Sequence, residues 1–181
     1  MKTKDGIIKL NLGSGNEYKV GWVNIDINPK WKPDILCDIE DRIPLEDNSV
    51  DFVLIQHVLE HVHPEKFRFV MGEIHRVCKN GARIVIYAPY FSCSITYKTI
   101  EHLSHMSYYT FGGVPGFDVI SKRFFFFRES FGYRSKLATK IAPIINPILS
   151  FFPNILPLFY ERFLCWIFPM EELKFVLKVK K

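Results

Sequence analysis

Hydrophobic and polar positions along this chain follow two periods. Short, nearly continuous apolar runs fall at residues 7–12, 22–26, 34–38, 50–56 and 83–88. Runs of that length and density predict strands of a parallel sheet covered on both faces. Before the fifth run the period changes. Phe67, Val70, Met71, Ile74 and Val77 recur three and four apart, which predicts an amphipathic helix over residues 65–78. A shorter helix is predicted to begin within residues 58–62, and Pro64 suits a fresh helix start. Lys79, Asn80 and Gly81 read as a stop signal, a cation followed by residues that tolerate left-handed backbone. Strands alternating with helical segments predict an α/β, Rossmann-like fold built on a mostly parallel sheet.

The last third is less regular. Residues 91–116 mix polar and aromatic side chains, including His102 and His105, without a clear period. Residues 119–127 predict a strand. Residues 173–179 alternate with lysine on one face and predict a closing strand antiparallel to its neighbour. Between them, residues 141–160 carry no charge and are broken by Pro143, Pro147, Pro153 and Pro157. The length permits a membrane span, but the prolines oppose a straight helix. The expectation is a helical, Pro-rich insert over residues 141–169. Two placements stay open. It packs as a broken cap on the sheet or on a second copy of the chain, as in a homodimer. Alternatively it lies at a lipid interface beside Arg134, Lys136 and Lys140.

The first strand runs into Gly13-Ser14-Gly15, and the second ends in Asp26. The glycines permit a tight turn and close approach of backbone to a ligand. A carboxylate at the end of the next parallel strand can accept both hydroxyls of a ribose lying across the strand ends. A dinucleotide fingerprint needs a third glycine, where Tyr18 stands, and an acid about 20 residues on. Asp26 comes sooner, so the link holds little helix and offers a pyrophosphate poor support. A nucleoside without phosphates fits better.

Composition sets the bounds. At 181 residues, with 48% apolar and 24% charged side chains, one domain over residues 1–181 is expected. The four cysteines are scattered without a CxxC pair, which disfavours a zinc ribbon or disulfide framework and fits a reducing, cytoplasmic setting. The N-terminal MKTKDGIIKL leads directly into the first strand, so no secretory signal is expected. The net charge of +5 is uneven: residues 1–120 carry 13 basic and 15 acidic side chains, residues 121–181 carry 11 and 4. A basic second half fits a solvated face or attraction to an anionic surface, substrate or lipid headgroup. Nucleic acid is disfavoured, since no recognition module accompanies the charge.

Taken in order, LNLGSGN (residues 10–16), NID (24–26), DILCDIEDRIPLEDNSVDFVLIQHVLEHV (34–62) and EIHRVCKNGARIVIYAP (73–89) resemble the class I S-adenosylmethionine-dependent methyltransferases, and among them the small type-11-like group. The resemblance covers roughly residues 7–90. It implies a cofactor-binding half over residues 1–90 and a substrate or cap half over 91–181, with S-adenosylmethionine as cofactor. It implies that Gly13, Ser14 and Gly15 border the methionine part, Asp26 holds the ribose, and Ile27 packs on the adenine. Asp38 would take the adenine amino group, Ile39 would lie beside the ring, and Gln56 and His57 would line the floor near the sulfonium. Two departures stand out. Asn11 occupies the place of a usual acid, and no N-terminal extension is expected before the first strand to close over the cofactor. Residues 91–116 are the candidate cover.

Methyl transfer to a hydroxyl needs a base, and His61, His105 and His102 are the candidates. Tyr90, Tyr97, Tyr108 and Tyr109 either line an acceptor pocket or pack as ordinary aromatics. The expected acceptor is a small or amphipathic molecule, a lipid-linked compound or a sugar, with peripheral membrane contact through the insert. Two other classes compete. HxxEH (His57, Glu60, His61) matches an inverted zinc-peptidase motif. His57 directly ends a predicted strand, however, so the pair straddles a turn rather than a helix face, and no metal site is expected. A non-catalytic cofactor-fold protein that binds a partner through the apolar insert is the second alternative.

Overall fold

A computed structural model of the chain describes residues 6–130 and 136–181. Seven strands form one sheet: β1 (Lys9–Leu12), β2 (Val23–Asp26), β3 (Ile35–Leu36), β4 (Val50–Gln56), β5 (Cys78–Pro89), β6 (Phe117–Phe125) and β7 (Glu172–Val179). Their order is β3-β2-β1-β4-β5-β7-β6. The first five run parallel, and β7 lies antiparallel between β5 and β6. This is the Rossmann-like, mostly parallel sheet with an antiparallel closing strand expected from the pattern.

The core explains the register. Leu10, Leu12, Ile25, Val53, Ile55, Ile84 and Ile86 are all buried. Shifting any one of these strands by one residue would turn its apolar set to the wrong face. Helix α1 (Phe67–Val77) lays Val70, Met71, Ile74 and Val77 on the sheet. Its Arg76 fork bonds Glu73, Asp47 and the carbonyls of Ile43 and Leu45. That grip holds residues 43–47 under the helix.

Several boundaries differ from the pattern, each for a local reason. The strand expected over 34–38 shortens to Ile35–Leu36. Asp34 turns away to accept hydrogen bonds from the Asn24 backbone and side chain and from the Tyr18 hydroxyl. The helix expected from 58–62 is a single 3-10 turn, Leu59–His61. The Glu60 carbonyl accepts from Leu103 and Ser104 instead of extending a helix. The stop signal at residues 79–81 ends α1, but the chain passes straight into β5, with Gly81 at φ +83°. The strand expected over 119–127 is Phe117–Phe125. Beyond it, side chains of the insert take the backbone of Phe126 and Phe127.

The insert is a broken helical cap. It contains α2 (Lys136–Leu149), which holds Pro143 and Pro147, then α3 (Phe151–Ile155), α4 (Pro157–Phe159) and a π turn over Tyr160–Leu164. Among the described residues no helix is long and apolar enough to cross a membrane. Of the basic flank, Arg134 lies outside the described residues and the side chain of Lys136 is likewise not described. The insert leaves the end of β6 and returns at the start of β7. Phe125 and Pro89 both pair with Glu172, so this is the edge where β1, β2, β4 and β5 end. Open α/β sheets place their ligands along that edge.

Candidate active site

A cleft of about 800 Å³ opens where β1, β2 and β4 end. It is lined by Gly13, Ser14, Gly15, Asp26, Ile27, Asp38, Ile39, Gln56 and His57, all nine residues expected to hold a cofactor. A volume of this size suits a small organic ligand.

The Gly-Ser-Gly turn is built by its neighbours. The backbone N–H groups of Gly13 and Ser14 donate to the Ile25 carbonyl at 2.8 and 2.9 Å. Gly13 has φ +68°, and a Cβ there would stand 2.2 Å from Val58 Cγ2. Gly15 has φ +48° with open space around it. The Gly15 N–H donates to Asp26 Oδ2 at 2.7 Å, and the Asn28 N–H donates to Asp26 Oδ1 at 2.8 Å. Each carboxylate oxygen keeps further acceptor capacity for a diol. Ser14 is buried, and its Oγ meets no hydrogen-bond partner among the described residues.

The link between β1 and β2 holds turns and no helix. Buried side-chain amides order it instead. Asn24 bonds the backbone of Lys19 and Trp22 and the Asp34 carboxylate. Asn11 donates to Asn24 Oδ1 at 3.0 Å and to the Glu17 carbonyl at 2.9 Å. Asn11 therefore both borders the cleft and braces the loop.

His57 takes φ +53° at the end of β4. Its Nδ1 lies 3.1 Å from Glu60 Oε1, and its Nε2 lies 2.8 Å from Glu172 Oε1 and 2.8 Å from Ser130 Oγ. Burial opposes its charge, but the two glutamates outweigh burial and push its pKa up to about 9. The ring is held as a cation between two buried carboxylates. Gln56 donates to the Ser130 carbonyl. Asp38 accepts from the Glu40 backbone while facing the cleft. Five carboxylate residues (Glu17, Asp26, Asp38, Glu40 and Glu101) line the cleft with no Lys or Arg among the lining residues. That balance favours a cationic ligand over a phosphorylated one.

Residues 100–103 form one wall, through Ile100, Glu101 and Leu103. Leu103 and Ser104 donate to the Glu60 carbonyl at 2.7 and 2.9 Å, and Ser104 Oγ donates to the Val62 carbonyl. His61 lines the cleft, but His105 does not. His105 is exposed against Tyr97, with ring centroids 5.5 Å apart. The tyrosines also lie elsewhere. Tyr90 is core, packed between Phe91 and Phe124, and Tyr108 and Tyr109 sit beneath the Lys122 ammonium at 4.0 and 4.8 Å. His57 and His61 do not form a peptidase pair, because both ring nitrogens of His57 point to Glu60 and Glu172. Glu172 and Ser130 escaped the sequence reading. They reach His57 across 115 and 73 residues of chain, and no local pattern marks them.

Residues 14–86 match the family model described as Methyltransferase domain. Over those residues the chain is similar to the type-11 group of class I methyltransferases. A SAM dependent methyltransferase from Archaeoglobus fulgidus superposes with a TM-score of 0.63 at 23% identity, covering 96% of this chain and 86% of that one. A putative methyltransferase from Haloferax volcanii, solved with the Trm112 methyltransferase activator, gives 0.62 at 17%, covering 100% and 86%. At such identities the likeness is one of fold. Among curated proteins, the tRNA N(3)-cytidine methyltransferase METTL2 of Gallus gallus is 31% identical over 71 residues, 38% of this chain. The match spans only 19% of that relative.

Proposed function

We propose that this domain is an S-adenosylmethionine-dependent methyltransferase whose acceptor is small or amphipathic, such as a sugar or a lipid-linked compound. The observation that carries the cofactor assignment is the convergence of Gly13, Ser14, Gly15, Asp26, Ile27, Asp38, Ile39, Gln56 and His57 on one anionic cleft. The residues fit the group. The unpartnered Ser14 Oγ, the open, side-chain-free face at Gly15 and the Asp26 carboxylate match a nucleoside carrying a cationic sulfonium.

The cofactor supplies an already activated methyl group, so the protein's task is chiefly alignment and exclusion of water. Asp26 orients the ribose, and the turn at residues 13–15 borders the methionine part. Asp38 and Ile39 hold the base. Gln56 and His57 form a floor made rigid by Ser130, Glu60 and Glu172. His61 stands on the acceptor side, beside residues 100–103. The amphipathic acceptor is argued from the apolar insert, which leaves β6 and enters β7 at the end of the sheet where β1, β2 and β4 also end.

Calorimetric titration of S-adenosylhomocysteine tests the cofactor reading. Wild-type protein is expected to bind at micromolar concentration. Asp26→Ala removes a charge-assisted ribose contact of about 2 kcal/mol, so binding weakens about thirtyfold. A folded wild type that does not bind would mean that the turn is structural, and would move the partner-binding alternative to first place.

A further inference from the structure

Beside the cofactor cleft, three side chains that could ligate a metal converge from two separated segments. Ligand atoms of Glu60, His61 and His102 all lie within 4.8 Å of one another. Glu60 and His61 come from the turn after β4. His102 is carried in by the segment whose Leu103 and Ser104 amides dock on the Glu60 carbonyl.

Two independent features show that these groups are prepared. The first is the carboxylate. Glu60 is fully buried; its Oε1 bonds His57, and its Oε2 meets no hydrogen-bond partner among the described residues. A buried carboxylate oxygen without a donor is costly, and a cation removes that cost. The second is the histidine tautomers. His61 Nδ1 lies 3.0 Å from the Glu101 carbonyl, and His102 Nδ1 lies 3.1 Å from the Thr96 carbonyl. A carbonyl only accepts, so in each ring Nδ1 carries the proton and Nε2 carries the lone pair. Ligating histidines are oriented in this way, with the far N–H donated to a carbonyl or carboxylate. The rings meet edge to face at 4.8 Å between centroids.

We propose that Glu60 Oε2, His61 Nε2 and His102 Nε2 bind a divalent first-row transition-metal ion. Two imidazoles and one carboxylate are a donor set for zinc, iron or cobalt rather than for calcium or magnesium, which prefer oxygen. Bonds of about 2.1 Å place neighbouring ligand atoms about 3–3.4 Å apart. Small rotations of the partly exposed His61 and His102 rings close the remaining gap. Three protein ligands leave coordination positions open, and His61 and the neighbouring Glu101 and Leu103 already line the cleft. Resting on the methyltransferase reading, those positions take a hydroxyl of the acceptor and lower its pKa. The site differs from the HxxEH reading, because His57 is a partner that orients Glu60 and not a ligand. It also revises the expectation of no metal.

The test titrates Co²⁺ into chelator-stripped wild type and follows the visible absorption of bound cobalt, with S-adenosylhomocysteine calorimetry on the same samples and near-UV circular dichroism to establish folding. The expected result is one cobalt per chain, weakened at least tenfold in His102→Ala and in His61→Ala. His105→Ala should bind cobalt as wild type does. His102→Ala should keep the dichroism of the wild type, so its loss of cobalt reports a ligand and not unfolding. Folded wild type that takes up no cobalt, or cobalt binding unchanged in both ligand variants, overturns the site. A protein that binds cobalt but not S-adenosylhomocysteine keeps the metal site and removes the methyltransferase reading. The reverse outcome does the opposite.

Discussion

At the residue scale, two glycines of one turn do different physical jobs. Gly13 combines a left-handed φ with contact against Val58, where a Cβ would stand 2.2 Å from a methyl carbon. Gly15 has only the left-handed φ. Gly15→Ala is therefore expected to cost about 1 kcal/mol, the strain of left-handed backbone. Gly13→Ala adds overpacking of about 1–3 kcal/mol and pushes Val58 into the cleft. Thermal melts and S-adenosylhomocysteine affinity check both. Equal effects of the two substitutions would contradict the close approach. The glycines were plain in the sequence, but the unequal burden was not, because Val58 meets the turn only when β4 pairs beside β1.

At the element scale, the legibility of each segment follows its surroundings. Val50–Gln56 came out with the bounds expected, since a strand paired on both sides is governed by its own apolar pattern. Residues 34–38 and 58–62 did not, because side chains and carbonyls there bond to distant partners instead of continuing a ladder or a helix. The edge strand β6 shows the same effect from outside. Asn154 both donates to and accepts from the Phe124 backbone, at 3.0 and 2.8 Å, as a paired strand would. Asn146 does the same for Phe127, and Ser150 accepts from Phe126. The insert thus covers an edge that would otherwise be open to pairing with another chain. Asn154→Ala leaves two partly buried backbone groups unmet, at about 1–3 kcal/mol in all. The expected result is a lower melting temperature and faster aggregation on heating. Aggregation matching the wild type would remove the edge-protection role.

At the scale of the whole molecule, the insert leaves a large apolar surface uncovered. Ile148, Phe151, Leu158, Phe163, Trp166 and Ile167 are each 58% exposed or more. Lys140, Arg162 and Arg123 lie exposed on the insert and the adjoining strand. Apolar side chains edged by cations match an anionic bilayer surface. The chain is expected to sediment with anionic vesicles, less so as salt rises. Replacing Phe151 and Ile167 together by serine removes about 3 kcal/mol of burial in lipid, which is a weakening of about 100-fold. Absence of sedimentation at low salt would direct the search to a protein partner for this face.

The chain's periodicity, its glycine turn and Asp26 were enough to specify a mostly parallel sheet and the place of the cleft, and the resemblance to class I methyltransferases supplied the other residues that border it. Those features depend on contacts between neighbours in sequence or on the repeat of a strand, and both are written locally. The tertiary structure alone decided what lies beyond that range. It set Glu172 and Ser130 against His57, moved His105 and the tyrosines away from the cleft, and brought His102 to Glu60 and His61. The physical reason is common to all of these. Each is a meeting of segments far apart in the chain, fixed by how the sheet orders its strands and by which backbone groups the connecting segments find to bond.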